Sequence, residues 1–240
     1  APLGALLAGF FLLRPWKPEW THLPILASCA AVSAAAVWLC ARVYTGWGID
    51  VPVATWMSAG EWGISFGVRI DGLSAAVLVM VSVVGALIHV YASGYMRGDP
   101  GFARFFLLFH LFYLAMIGLL VSNNYVQLYL FWELVGAASY LLIGFWHHKP
   151  TARAAALQAF LTNRIGDFGL MLAVFILMAL FRNGNTRFAV IFPLLSAVDA
   201  SLLAFVGLLI FWAACAKSAQ FPLYFWLPDA MEGPTPTSAL

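Results

Sequence analysis

The sequence predicts an all-α polytopic membrane protein with about seven transmembrane helices, a small β-hairpin between the second and third, and a discontinuous seventh helix. Three observations carry this prediction. The 240 residues are 63% hydrophobic and only 9% charged, with a mean hydropathy of +0.91, a balance that excludes an ordinary soluble domain. The apolar residues fall in successive runs of about twenty, the length a helix needs to cross ~30 Å of hydrocarbon at ~1.5 Å per residue. Between the second and third runs the composition turns to Gly, Trp, Asp and Pro, with strand-like alternation in Trp62-Gly63-Ile64-Ser65-Phe66-Gly67-Val68-Arg69.

In chain order, Leu3–Leu13 is too short to span and reads as the tail of a first helix, closed by Arg14-Pro15-Trp16-Lys17-Pro18. The second span is Pro24–Tyr44, and residues 45–70 form a hairpin lying outside the membrane. Asp71 is placed to N-cap the third span, Gly72–Tyr95, and a polar turn through Arg97, Asp99 and Pro100 leads to the fourth, Phe102–Val121. The short Ser122-Asn123-Asn124 loop makes the fourth and fifth spans antiparallel neighbours, the fifth running from about Asn124 to Trp146. After His147-His148-Lys149-Pro150 comes the sixth, Arg153–Phe181, then a loop holding Arg182, Arg187 and Asp199, then the seventh, Leu202–Ala219. The domain reading is residues 1–44 as N-terminal helices, 45–70 as the hairpin, and 71–240 as a membrane domain cut off at its C-terminal end. The chain opens on Ala1 and stops at Pro236-Thr237-Ser238-Ala239-Leu240 as a new apolar segment begins, so it is expected to be a piece of a longer protein.

Loops after the first, third and fifth spans collect Arg14, Lys17, Arg97, Arg104, Lys149 and Arg153, against Arg42, Arg69, Arg182 and Arg187 on the opposite side. The positive-inside bias places the first group in the cytoplasm. Trp16, Trp47, Trp56, Trp62 and Trp146 fall near the expected interfaces, as aromatic belts require. A formal charge of +2, with no basic run, P-loop or dinucleotide fingerprint, argues against a nucleic-acid partner and against phosphate chemistry. Cys29, Cys40 and Cys215 lie inside apolar segments without Cys-x-x-Cys spacing and read as free core thiols, not as disulfides or zinc ligands.

Four charged residues remain inside spans: Glu133, Arg164, Asp167 and Lys217. Glu133 lies ~13 Å along its helix, and a charge carried that deep costs roughly 2.5–3.5 kcal/mol on insertion scales, so it reads first as a functional group with a partner. Gly136, Ala137, Tyr140 and Gly144 share its face and admit a close neighbour, so Glu133 faces protein. Arg164 and Asp167, three residues apart, are expected to pair on one helix. The structural alternative for this pair is a salt bridge that only fixes helix packing. Lys217 stands five residues before Pro222, which removes the N–H owed to the Ser218 carbonyl, so the helix breaks beside the lysine. Helix breaks at membrane depth survive where they line a wet cavity, and they recur at ion sites of transporters. The alternative there is a lysine snorkelling to the interface.

The ordered series Leu130-Phe131-Trp132-Glu133-Leu134-Val135-Gly136, Ser139 through Trp146, Asn163-Arg164-Ile165-Gly166-Asp167, Lys217-Ser218-Ala219-Gln220-Phe221-Pro222-Leu223 and Trp226 through Pro236 resembles the antiporter-like largest membrane subunit of respiratory complex I. Its cyanobacterial and chloroplast counterparts and the Mrp-type sodium/proton antiporter subunits are similar. The resemblance runs from about Asp71 to the end. It implies a proton-relay pair at Glu133 and Lys217, with Arg164 and Asp167 as the matching charges of the sixth span. It also implies an enzyme subunit of a proton-pumping NADH (or ferredoxin):quinone oxidoreductase with no redox cofactor in this chain, since flavin, iron–sulfur and quinone sites belong to other subunits. Its partners would be other membrane subunits, the lipid bilayer and protons. Its location would be a bacterial plasma membrane, or a thylakoid or other energy-transducing membrane. The family's following His, its inverted second half and its lateral helix are not in this chain.

A carboxylate ~7 Å from an ammonium at an effective dielectric of ~20 stabilises the charged pair by about 2.4 kcal/mol, enough to switch a proton when the carboxylate moves. Two other classes stay open: an Mrp-type cation/proton antiporter using the same residues, and a b-haem electron-transfer subunit with His89 and His110 as axial ligands.

Overall fold

The computed structural model describes residues 2–13, 20–59, 62–181 and 186–240. Arg14, Trp16, Lys17 and Arg182, and the side chain of Trp62, lie outside the described residues, and so do the parts of the orientation and belt arguments that use them. The first segment is α1 (Pro2–Leu7), continued by a π-helical stretch over Ala8–Leu13. Then follow α2 (His22–Tyr44), strands β1 (Ile49–Ala59) and β2 (Trp62–Ile70), α3 (Gly72–Tyr95), α4 (Phe102–Leu120) and α5 (Tyr125–Ile143). The second half holds α6 (Pro150–Leu180), α7 (Phe188–Leu194), α8 (Ala200–Lys217) and the short helices α9 (Trp226–Asp229) and α10 (Thr235–Ala239).

Among the described residues six helices, α2 to α6 and α8, are long and apolar enough to cross a membrane, and the first segment stays short. The burial pattern fits a bilayer. Ser82, His89, His110, Asn163 and Asp167 are buried, whereas Leu73, Leu87, Phe168, Leu208 and Phe211 are exposed, so the polar groups face helices and the apolar ones face lipid. Phe105, Phe106, Phe109, Tyr113, Leu142 and Phe145 fill the core between α4 and α5, with Ile25 and Met96 joining from α2 and the end of α3.

Asp71 caps α3 as expected: its carboxylate accepts from Ser74 N–H, while Ser74 Oγ accepts from Asp71 N–H. That backbone hydrogen bond from Ser74, aided by the Arg69 guanidinium, holds the Asp71 carboxyl below the usual carboxylate range. Several boundaries differ from the sequence reading. Helix α6 begins at Pro150, because proline is pre-set for the first helical position and its missing N–H is no loss there. Helix α5 stops at Ile143, with Gly144 as C-cap, so residues 144–148 are a turn. The expected loop before α8 contains α7, too short to span, and Asp199 is the N-cap of α8, accepting from Leu202 N–H at 3.0 Å.

The hairpin is antiparallel, pairing Ile49 with Ile70 and shifting register near Pro52 and Thr55. It sits over the α4–α5 and α6–α8 connections. Gln127 on α5 donates to the Gly67 carbonyl and accepts from the Gly67 N–H, a two-bond clamp. Asp50 accepts from Asn123 and Arg187, and Arg69 N–H donates to the Val121 carbonyl. The opposite end gathers Asp99, Arg104, Trp146, His147 and Lys149 around one cleft. The loops after even-numbered and odd-numbered spans therefore separate onto two faces, as the sequence reading requires.

Candidate functional site

The four intramembrane charges come together where α5, α6 and α8 meet. Glu133 and Trp132 lie on α5, Arg164 and Asp167 on α6, and Lys217 is the last residue of α8. Helix α8 closes in a reverse turn: Gln220 N–H donates to the Cys215 carbonyl and Ala219 N–H to the Ala216 carbonyl. Ala219 occupies the left-handed region at φ +49°. This is the Schellman closure, with alanine where glycine is usual, at a cost of roughly 1–2 kcal/mol. The indole N–H of Trp226 also donates to the Ala216 carbonyl at 3.0 Å, a second hydrogen bond to one of the last carbonyls of the helix. The helix thus breaks beside Lys217 as expected, and it does so before Pro222 is reached.

The charges pair across helices. Arg164 pairs with Glu133, and Lys217 Nζ stands 3.3 Å from Asp167 Oδ2. The expected Arg164–Asp167 pair on one helix is thereby corrected. Both oxygens of Asp167 are engaged elsewhere, Oδ1 by the Trp132 indole N–H at 2.5 Å and Oδ2 by the lysine. The Arg164 guanidinium turns the other way, 4.8 Å from the centre of the Phe160 ring, towards Glu133. Residues three apart on a helix diverge by about 60° in direction, which lets each reach a different neighbour.

Glu133 and Lys217 stay close without direct pairing. A Cβ added to Gly136, one turn after Glu133, would lie 2.6 Å from Lys217 Nζ, so the ammonium rests against the glycine backbone. The same ammonium is 5.9 Å from the Trp132 ring centre. The sequence reading singled out Gly136 for close approach by a neighbouring backbone; the neighbour is the lysine head. Gly166 seats the methyl of Ala216 in the same way, and Gly169 lets the Leu209 carbonyl approach. Trp132 and Gly166 were visible only as motif letters, because nothing in their spacing marks them as the groups that orient Asp167 and α8.

Lys217 borders a cavity of about 430 Å³ lined by Trp132, Gly136, Ser139, Asn163, Ser218 and Thr237 among others. Asn163 donates to the Ala159 carbonyl, and its Oδ1 is buried without a hydrogen-bond partner. Helices α3 and α4 hold the two histidines of the haem alternative, His89 and His110. Tyr113 packs on both rings, and the Cys29 sulfur lies 3.8 Å from His110 Nδ1, so no porphyrin-sized slot separates the imidazoles.

The family described as "NADH:quinone oxidoreductase/Mrp antiporter, TM" matches residues 122–240, and "NADH-Ubiquinone oxidoreductase (complex I), chain 5 N-terminus" matches residues 56–106. The chain is 46% identical over 225 residues to NADH-quinone oxidoreductase subunit L of Mycobacterium tuberculosis, covering 92% of this chain and 35% of that one. It is 48% identical over 191 residues to NAD(P)H-quinone oxidoreductase chain 5 of Synechocystis sp., covering 77% of this chain and 28% of that one. It therefore spans about a third of the length of these relatives. The fold is similar to a chain of the Mrp complex from Dietzia sp., with TM-score 0.82 and 26% identity over 99% of this chain and 25% of that one. A chain of the archaeal membrane-bound sulfane sulfur reductase shares the fold alone, at TM-score 0.83 and 20% identity over 99% of this chain and 47% of that one. With an integral membrane fold, matches to both family descriptions and close relatives across bacteria and cyanobacteria, the chain belongs to the antiporter-like membrane-subunit family shared by NADH:quinone oxidoreductases and Mrp antiporters.

Proposed function

We propose that this chain forms the first half of the proton-translocating domain of a complex I type NAD(P)H or ferredoxin:quinone oxidoreductase, with residues 71–240 as the translocating part. The observation that carries this is the crossed arrangement of two cations and two carboxylates beside a helix break that opens on a cavity with largely apolar walls, into which Ser139, Asn163 and Thr237 bring polar groups. Arg164 holds Glu133 in one position, while the ammonium of Lys217 lies one turn away over Gly136. Rotation of the Glu133 carboxylate from Arg164 towards Lys217 adds about 2.4 kcal/mol of stabilisation to the ammonium at ~7 Å and an effective dielectric of ~20. The return movement removes it. Asp167, fixed by the Trp132 indole, serves as the second base for the lysine proton. Ser139, Asn163 and Thr237 line a volume that accommodates a short chain of water at ~30 Å³ each, which would carry the proton away from Lys217. Electron transfer, cofactors and quinone binding fall to other subunits of the assembly, in a bacterial plasma membrane or a thylakoid.

The test is proton pumping in vesicles containing the whole complex, with complex abundance measured in parallel. Glu133→Gln and Lys217→Ala are each expected to lower pumping at least tenfold, and because they serve one step the double variant is little worse than either. Glu133→Asp keeps the charge and retains a substantial share. Near-normal pumping by Glu133→Gln at normal abundance would return Glu133 to a packing role.

The likeness to the Dietzia Mrp chain favours a second reading, cation/proton exchange through the same residues. Sodium-dependent proton movement in vesicles, independent of any electron donor, would select it over the respiratory one.

A further inference from the structure

One buried cluster takes no part in the relay. Cys29 on α2, His89 on α3 and His110 on α4 are each 1% exposed or less. Each offers one ligating atom, and the three atoms lie within 4.8 Å of one another. The residues are far apart in sequence and belong to three different spans.

The hydrogen bonding of the two imidazoles separates this cluster from ordinary packing. His89 Nδ1 is 2.7 Å from the Gly85 carbonyl oxygen, which can only accept, so Nδ1 carries the proton and Nε2 holds the lone pair. That Nε2 is fully buried and has no hydrogen-bond partner. His110 Nε2 is 3.2 Å from the Pro2 carbonyl oxygen, so it carries the proton there, and Nδ1 turns its lone pair to the Cys29 sulfur. Each ring thus has one nitrogen anchored by a backbone carbonyl and the other free to donate electrons, the arrangement that orients metal-ligating histidines.

We propose that Cys29, His89 and His110 form a three-coordinate site for a monovalent copper ion. Ligands ~2.0–2.3 Å from one centre at trigonal angles stand about 3.7 Å apart. The Cys29–His110 separation of 3.8 Å already meets this, and the 4.8 Å limit of the cluster leaves about 1 Å for side-chain rotation to close. Binding releases the thiol proton, leaving one thiolate and two neutral imidazoles around the ion. With a monovalent ion the centre is neutral; with zinc it keeps a net positive charge, which is costly in an apolar interior. Thiolate and imidazole together also suit soft, three-coordinate copper(I). Phe109 packs 4.4 Å from the His89 ring and Tyr113 packs on both rings, so the site is walled by aromatic side chains. The bound ion ties α2, α3 and α4 together.

The test uses the full-length protein in its native complex, purified anaerobically under reducing conditions and equilibrated with copper(I) buffered by a bathocuproine chelator. Elemental analysis is expected to find about one copper per chain, lowered about tenfold or more by Cys29→Ala and by His89→Gln. Cys40→Ala and Cys215→Ala keep it. Copper K-edge absorption of the unaltered protein is expected to show one sulfur at about 2.2–2.3 Å and two imidazole nitrogens at about 2.0 Å, a result that stands even if the variants fail to assemble. Substoichiometric copper in the unaltered protein, copper that survives Cys29→Ala, or a spectrum without sulfur would each overturn the proposal. Stoichiometric zinc in place of copper overturns the choice of ion.

Discussion

At the scale of single residues, the site depends on which carboxylate meets which cation. Asp167 is almost fully buried and Lys217 largely so, and removing one member of such a pair strands the other charge at a cost of roughly 3–5 kcal/mol. Asp167→Asn alone is therefore expected to lower the thermal midpoint of the detergent-solubilised complex more than Asp167→Asn combined with Lys217→Met. The Arg164 pair offers a contrast, because the Arg164 side chain is 43% exposed in this chain and its charge is not stranded when Asp167 is lost. If Asp167→Asn were instead rescued by removing Arg164 and not by removing Lys217, the cross-helix pairing would be wrong. The cap at Asp71 belongs to the same scale and was legible from sequence, because an aspartate just before an apolar run supplies the acceptor that the first helical N–H groups need.

At the scale of elements, the depth of contact between α6 and α8 sets the position of Lys217. A Cβ on Gly166 would overlap the Ala216 methyl, and one on Gly169 would come within 2.8 Å of the Leu209 carbonyl. Gly166→Leu is expected to push α8 away, carry Lys217 from Asp167, and cost about 1–3 kcal/mol or more through overpacking. Lower complex abundance and reduced pumping by the complex that remains would register this. Gly207 on the same α8 has open space where its Cβ would lie, so Gly207→Ala is expected to be neutral or slightly stabilising in the same assays. A neutral Gly166→Leu, or equal effects of Gly166→Leu and Gly207→Ala, would mean that close packing at Gly166 does not govern this contact.

At the scale of the whole molecule, the hairpin and the α7 segment cover one face, and the cleft of Asp99, Arg104 and His147 lies on the other. Cysteine placed at exposed Thr55 in the hairpin is expected to react only with membrane-impermeant reagent added outside the cytoplasm. Cysteine at exposed His148 is expected to react only from the cytoplasm, in a background lacking Cys40. Reaction of both from one side would overturn the alternation of spans. Asn123, though in the loop that the sequence places outside, is fully buried beneath the hairpin and would not report sidedness.

The sequence by itself determined the membrane class, the spans to within a few residues, the hairpin, the cap at Asp71, the helix break beside Lys217 and the four charged residues that lie inside the spans. All of these rest on local physics: the length of apolar runs, the period-2 alternation of a strand, the missing N–H of proline, and the cost of a charge in hydrocarbon. Only the tertiary structure decided the partners. That Arg164 reaches Glu133, that Lys217 reaches Asp167, and that Trp132 and Gly136 hold that lysine in place depend on the rotation and depth of α5, α6 and α8, which no spacing along one helix encodes. The same holds for Cys29, His89 and His110. Each reads alone as a buried packing residue, and their shared centre exists because three spans distant in sequence bring one side chain each to the same depth.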